Sequence, residues 1–78
     1  MIDFKRLEYL NKRISSNTST QAENDEYMAL LYKNGSITQN QYSKYLKDKS
    51  AENILSTAIT IGGIILLGYL INELAKKE

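Results

Sequence analysis

The sequence of 78 residues contains no cysteine, histidine, proline or tryptophan. Without cysteine the chain can form no disulfide and no thiolate metal site, and it offers no position for palmitoylation. Without histidine it lacks the side chain that most often transfers protons near neutral pH. The absence of proline suits a chain that is built of helices with short connections.

No pattern of catalytic, cofactor-binding or metal-binding residues is present. The adjacent carboxylates Asp25 and Glu26 would point about 100° apart on a helix, which is unsuited to shared acid–base chemistry. The formal net charge is +1, and the few basic residues near the N-terminus form no motif that reads nucleic acid. We therefore expect no enzymatic activity, no cofactor, no small-molecule substrate and no nucleic-acid partner.

The dominant feature is a run of 20 uncharged residues, Asn53 to Asn72, of which ten are Ile or Leu. As a helix this run would be about 30 Å long, which matches the hydrocarbon core of a bilayer. Its apolar residues face all sides of the helix, as expected for contact with lipid. The residues predicted to span the membrane are Ile54, Leu55, Ile59, Ile61, Ile64, Ile65, Leu66, Leu67, Leu70 and Ile71.

Small residues within this run predict close packing against another helix. Ser56, Thr60 and Gly63 lie on one helix face at spacings of four and three, and Ala58 and Gly62 form a second small pair. Such faces let helix backbones approach closely in lipid, so the span can associate with itself or with a partner. We expect the rest of the chain to be too polar to enclose this helix. The alternative is therefore burial among copies of the chain.

The N-terminal segment, residues 1–14, predicts an amphipathic helix that Asp3 can cap. Its apolar stripe consists of Phe4, Leu7, Leu10 and Ile14, and its opposite face carries Lys5, Arg6, Lys12 and Arg13. These basic residues could bind anionic lipid headgroups or a partner, or form an ordinary solvated face. Residues 15–20, rich in Ser, Thr and Asn, predict a linker.

Residues 21–49 predict a helical hairpin with two capping boxes. Thr20 with Glu23 and Thr38 with Gln41 have the required spacing, and Gly35 is suited to a left-handed cap between the two helices. We expect the second helix to bury Tyr42, Tyr45 and Leu46. The apolar residues predicted to form the contact surface of the hairpin are Tyr27, Leu30, Leu31, Ile37, Tyr42, Tyr45 and Leu46.

The segment Leu30 to Tyr42 resembles the SHOCT hairpin, a short two-helix module common at the ends of bacterial chains. The match consists of a Leu-rich first helix, the Gly-x-Ile-Thr pattern at 35–38, and an aromatic residue four positions after the Thr. Gln39 and Asn40 stand where the module usually has acidic residues. The resemblance implies a protein-interaction or oligomerisation element and no activity.

Basic residues flank the uncharged run on both sides. Lys44, Lys47 and Lys49 precede it, and Lys76 and Lys77 follow it within a short polar tail, residues 73–78. The excess on the N-terminal side favours a cytoplasmic location for that side. The three preceding lysines could also bind anionic headgroups.

The sequence therefore predicts an all-α, single-pass protein of the cell membrane, with the N-terminal helix and the hairpin in the cytoplasm. The expected function is that of an accessory or interaction subunit of a larger membrane-associated assembly, which it contacts through the hairpin. One alternative is a membrane-active small protein (a holin, pore, toxin-like or phage component) that acts by oligomerisation of its span. The other is a structural subunit of a soluble or virion assembly.

Overall fold

The computed structural model describes residues 3–49 and 52–76, which form four α-helices and no β-strand. The helices are α1 (Phe4–Ser15), α2 (Gln21–Lys33), α3 (Gln39–Lys47) and α4 (Glu52–Lys76). The predicted all-α fold is confirmed, including a C-terminal helix that is long and apolar enough to span a membrane. The first two residues of the predicted N-terminal helix and the last two of the predicted tail lie outside the described residues.

The first three helices begin where side chains cap their N-termini. Asp3 accepts a hydrogen bond from the backbone N–H three residues on, at 3.1 Å. Thr20 and Glu23 form a reciprocal capping box with distances of 3.1 and 2.9 Å. Thr38 and Gln41 form the second box, at 3.1 and 2.8 Å. Both capping boxes were predicted, and each satisfies two backbone donors that the helix itself leaves unpaired.

The C-terminal ends of α1 and α2 share one geometry. Gly35 follows α2 with φ 75°, its N–H donates to the Tyr32 carbonyl at 3.0 Å, and the Ser36 N–H donates to the Leu31 carbonyl at 2.9 Å. This pair of bonds is the Schellman motif. The same pair closes α1, where Asn17 takes the left-handed position with φ 58°. The sequence indicated this geometry only for Gly35.

Gly35→Val is expected to destabilise the hairpin by at least about 1 kcal/mol, since a left-handed conformation disfavours any residue with a Cβ. No atom lies within 4 Å of a Cβ built on Gly35, so the cost is conformational and not a clash. Thr38→Ala is expected to cost about 1 kcal/mol through the lost cap. Faster amide hydrogen exchange over residues 27–46 would show both effects. Gly68→Ala, which also adds a Cβ in open space, is the control and should not increase exchange.

Helix α1 packs antiparallel along α4. The Phe4 ring stacks on the Tyr69 ring with 4.3 Å between centroids, and the Asn11 side chain reaches the backbone carbonyl of Ile59 at 3.4 Å. The hairpin of α2 and α3 packs against both helices, and together the four helices enclose one apolar core. The buried residues of this core are Leu7, Leu10, Ile14, Tyr27, Met28, Leu31, Ile37, Tyr45, Ala58 and Leu66.

Helix α4 differs from the predicted span in length and in surroundings. It continues past Asn72 to Lys76, because Glu73, Leu74 and Ala75 are good helix formers. The expectation that the rest of the chain cannot enclose this helix is wrong for one of its sides. The apolar stripes of the first three helices converge on that side, while the other side stays uncovered.

Candidate membrane-contact surface on helix α4

Helix α4 has a covered inner face and an uncovered outer face. The inner face consists of Ala58, Gly62, Leu66 and Tyr69, at spacings of four and three. Ala58 and Leu66 expose only 1% and 7% of their surface. The outer face consists of Thr60, Gly63, Ile64, Leu67, Leu70, Ile71 and Leu74.

The closest approach on the inner face is between Gly62 and Tyr27. A Cβ on Gly62 would overlap the Tyr27 hydroxyl and lie 2.8 Å from the ring carbon Cζ. A larger residue at this position would therefore force the Tyr27 side chain to shift from its present contact with α4. Tyr27 is fully buried as a result, and burial raises the pKa of its hydroxyl.

A small polar network accompanies this contact. The Tyr27 hydroxyl donates to the Ala58 carbonyl at 3.1 Å and accepts from the Asn11 side-chain amide at 2.9 Å. The same amide lies 3.4 Å from the Ile59 carbonyl. One tyrosine and one asparagine thus fix α1 and α2 to the backbone of α4, and the buried hydroxyl is satisfied in both its donor and acceptor roles.

The outer face is uncharged, apolar and exposed. Ile64 and Leu74 expose 67% and 65% of their surface, and Leu67 and Ile71 each expose 59%. In the most apolar 18-residue window of α4 only 17% is buried, whereas the core helix of a soluble monomer is mostly buried. A contiguous exposed apolar strip of this kind marks a surface that contacts lipid or another protein.

Two exposed threonine hydroxyls of α4 are paired within the helix. Thr57 donates to the Asn53 carbonyl at 2.9 Å, and Thr60 donates to the Ser56 carbonyl at 3.3 Å. Such bonds to the preceding turn satisfy a hydroxyl without help from water. Transfer of this face into lipid would therefore leave neither threonine donor unpaired.

Charged side chains connect the other helices to one another, away from the uncharged run of α4. Three ion pairs join Arg6 to Glu26, Arg13 to Glu23 and Lys49 to Asp25, at 2.7, 3.1 and 3.1 Å. All three carboxylates belong to α2. Charge pairing thus joins α2 to α1 and to the segment that follows α3, while packing and the hydrogen bonds of Tyr27 and Asn11 attach these helices to α4.

The three α2 carboxyl groups have lowered pKa values. The Arg6 side chain lowers the pKa of Glu26. For Glu23 the backbone N–H of Thr20 is the main cause of its lowered pKa, with Arg13 contributing. The pKa of Asp25 is lowered mainly by the Tyr45 hydroxyl, which donates to it at 2.7 Å. All three groups are therefore stabilised in their ionised form.

These shifts predict a loss of stability in acid. A carboxyl group whose pKa is lowered on folding contributes stability above its unfolded pKa, and this is lost as the pH falls through the folded value. The thermal midpoint should be nearly constant between about pH 7 and 5 and should fall below about pH 4.5, where glutamate begins to protonate. Circular dichroism during heating measures it. The thermal midpoint of the double variant R6Q/E26Q should depend less on acid than that of the parent. An unchanged midpoint of the parent down to pH 3 would show that the three α2 carboxylates do not stabilise the fold.

The predicted contact residues of the hairpin are mostly buried within the chain itself. Tyr27, Leu31, Ile37 and Tyr45 lie in the core, while Leu30 and Tyr42 pack partly buried against it. The expectation that α3 buries Leu46 is wrong, because this side chain is 50% exposed. Tyr45 points into the core, and the next residue on a helix points about 100° away.

The predicted headgroup-binding residues divide into two groups. Arg6, Arg13 and Lys49 are engaged in the ion pairs with α2, and Lys12 lies 4.0 Å from Glu8. The remaining members of the set, Lys5, Lys44 and Lys47, are exposed on the surface. Contact of these lysines with lipid headgroups or a partner stays a prediction.

The predicted packing face of Ser56, Thr60 and Gly63 is exposed. The chain packs its own helices on the alternative small pair, Ala58 and Gly62, so contact of the first face with another molecule stays a prediction. Sequence reasoning did not assign a role to Asn11. The only signal was one amide-bearing side chain on α1 close to its apolar stripe.

No family model, curated protein or solved structure matches the chain. The resemblance of residues 30–42 to the SHOCT hairpin therefore stays a prediction. Among residues 3–49 and 52–76, no cluster of acidic side chains could hold a metal ion. The feature of the described chain that points to a function is the outer face of α4.

Proposed function

We propose that the protein is a small single-pass membrane protein that serves as an accessory or interaction subunit of a larger membrane-associated assembly, with no enzymatic activity. The observation that carries this proposal is the exposed apolar outer face on a helix of 24 candidate spanning residues, Asn53–Lys76. At about 1.5 Å per residue such a helix is about 36 Å long and can cross a bilayer with some tilt. The two paired threonine hydroxyls and the charged residues at its C-terminal end, Glu73 and Lys76, favour the same placement.

The contact surface for a protein partner is proposed to differ from the one that the sequence indicated. The hairpin uses its core-facing residues within its own chain, so in the folded chain it offers only its outward side chains. Leu46 is 50% exposed and Tyr32 37% exposed, with the Tyr32 ring stacked on Tyr42 at 4.6 Å. In this docked arrangement a partner would contact these outward side chains of the hairpin or the outer face of α4.

The proposed orientation places the N-terminal helices in the cytoplasm of the cell and the end of α4 across the cell membrane. Lys44, Lys47 and Lys49 precede the span, and the bias of basic residues sets the orientation of short membrane proteins. Lys44 and Lys47, which are exposed, also lie where anionic headgroups of the inner leaflet would attract them.

Alkaline washing and cysteine labelling test the proposal, since the chain has no cysteine of its own. The protein should remain in the membrane pellet after alkaline washing. A cysteine at Ala75 should react with a membrane-impermeant maleimide in intact cells, and a cysteine at Lys47 only after permeabilisation. Extraction by the alkaline wash would contradict a spanning helix, and the reverse labelling pattern would contradict the orientation.

A second candidate function is membrane activity through oligomerisation of the span. It is supported by the exposed stripe of Ser56, Thr60 and Gly63, where small side chains would let two α4 helices approach closely. Overexpression distinguishes the candidates, because a pore-forming protein should depolarise or lyse cells and an accessory subunit should not. A soluble assembly that buries the outer face between copies would leave the protein in the supernatant.

A further inference from the structure

Helix α1 covers the part of α4 that would lie at the centre of a membrane. Its contacts on α4 extend from Ile59, reached by the Asn11 side chain at 3.4 Å, to Tyr69, on which Phe4 stacks at 4.3 Å. Residues 59–69 form the middle of the uncharged run. The outward side of α1 carries the charged residues Lys5, Arg6, Glu8, Lys12 and Arg13.

Docking of α1 and membrane crossing by α4 are therefore incompatible. If α4 crossed a bilayer with α1 still docked, the charged side of α1 would lie at the depth of the hydrocarbon core. Charged side chains at this depth are strongly unfavourable unless they face protein or water. The same holds for the ion pairs that attach α2 to α1.

We propose that α1–α3 form an autoinhibitory cover on the inner face of α4, and that the helix inserts into a membrane only after this cover is released. The inference rests on the proposed membrane function and adds to it a water-soluble docked state. In that state one side of α4 is shielded by the chain itself. In the inserted state the cover stays at the membrane surface.

The chemistry of the inner face makes α4 suited to both states. The face consists of Ala58, Gly62, Leu66 and Tyr69. None of these residues is charged, so no ion pair joins this face to α1 or α2. The cover is fixed by hydrogen bonds to two backbone carbonyls, those of Ala58 and Ile59, which lie within the helix. Release therefore leaves an apolar helix surface on α4, while Asn11 and Tyr27 regain water.

Two glycine variants separate docking from insertion. Gly62→Ala introduces a Cβ that overlaps the Tyr27 hydroxyl and should loosen the cover, whereas an alanine is well tolerated in a membrane-spanning helix. We expect the rate of insertion into phosphatidylcholine–phosphatidylglycerol vesicles to rise roughly tenfold, as an overpacked contact predicts. Gly63→Ala is the matched control, since no atom lies within 4 Å of its added Cβ. Equal insertion rates for the two variants would overturn the inference.

A reversible cross-link tests the same inference without relying on a destabilised variant. In the double variant F4C/Y69C, a reducible thiol cross-linker would join α1 to α4 and hold the cover in place. The cross-linked chain should fail to become resistant to alkaline washing on the same vesicles, and reduction should restore insertion. If the cross-linked chain inserts at the rate of the reduced chain, the proposed autoinhibition by α1–α3 is wrong, while the proposed membrane function is unaffected. If the parent chain also fails to insert, the proposed membrane function itself is wrong.

Discussion

Tyr27→Ala is expected to destabilise the docked fold by about 3–5 kcal/mol, the cost of removing a buried aromatic side chain. Tyr27 is fully buried. It lies so close to Gly62 that a Cβ at position 62 would overlap its hydroxyl. Its loss also leaves the Asn11 amide without its 2.9 Å partner. A chain of this size has a total stability of only about 4–12 kcal/mol. The variant should therefore lose much of its structure in water.

Urea unfolding followed by far-UV circular dichroism in detergent-free buffer measures this effect. Tyr32→Ala is the matched control on the same helix, because Tyr32 is 37% exposed and its stacking on Tyr42 contributes about 0.5–1.5 kcal/mol. Tyr27→Phe should fall between the two, since it keeps the ring and loses the hydroxyl bonds. Equal midpoints for Tyr27→Ala and Tyr32→Ala would show that the contact with α4 does not hold the fold together.

Much of the local structure could be predicted because it depends on neighbours in sequence. Thr20 with Glu23 and Thr38 with Gln41 are capping boxes by residue type and spacing alone. Gly35 identifies a left-handed cap for the same reason. Asn17 takes the same conformation at the end of α1, but within a run of Ser, Thr and Asn no single residue stands out as the cap. The prediction there was limited to a linker.

The docking of α1–α3 on α4 could not be predicted, because the apolar residues of α4 surround the helix on all sides. A helix of this kind gives no indication of which side faces its own chain. Two small faces were available, and the choice of Ala58 and Gly62 depends on Tyr27, which lies 31 residues before Ala58. Because of this docking, the apolar residues of the hairpin form a core within the chain, although the sequence predicted that they would contact a partner.

Ile64→Arg is expected to weaken membrane insertion by about 2.5–3.5 kcal/mol, the cost of an arginine at the centre of a spanning helix. This corresponds to a loss of roughly 100-fold in the insertion equilibrium. Ile64 is 67% exposed on the outer face, so the docked fold offers ample room for the arginine. The variant should therefore unfold in urea at the same concentration as the parent protein.

Measuring both membrane insertion and urea unfolding shows whether the outer face contacts lipid or other copies of the chain. Ile64→Leu serves as control and should leave both insertion and folding unchanged, because it conserves volume and apolar character. If Ile64→Arg fractionates with membranes as the parent does, α4 does not span. If the parent is soluble and oligomeric and the arginine converts it into monomers, the outer face is instead buried between copies of the chain. A loss of insertion with an intact fold would identify lipid as what the outer face contacts.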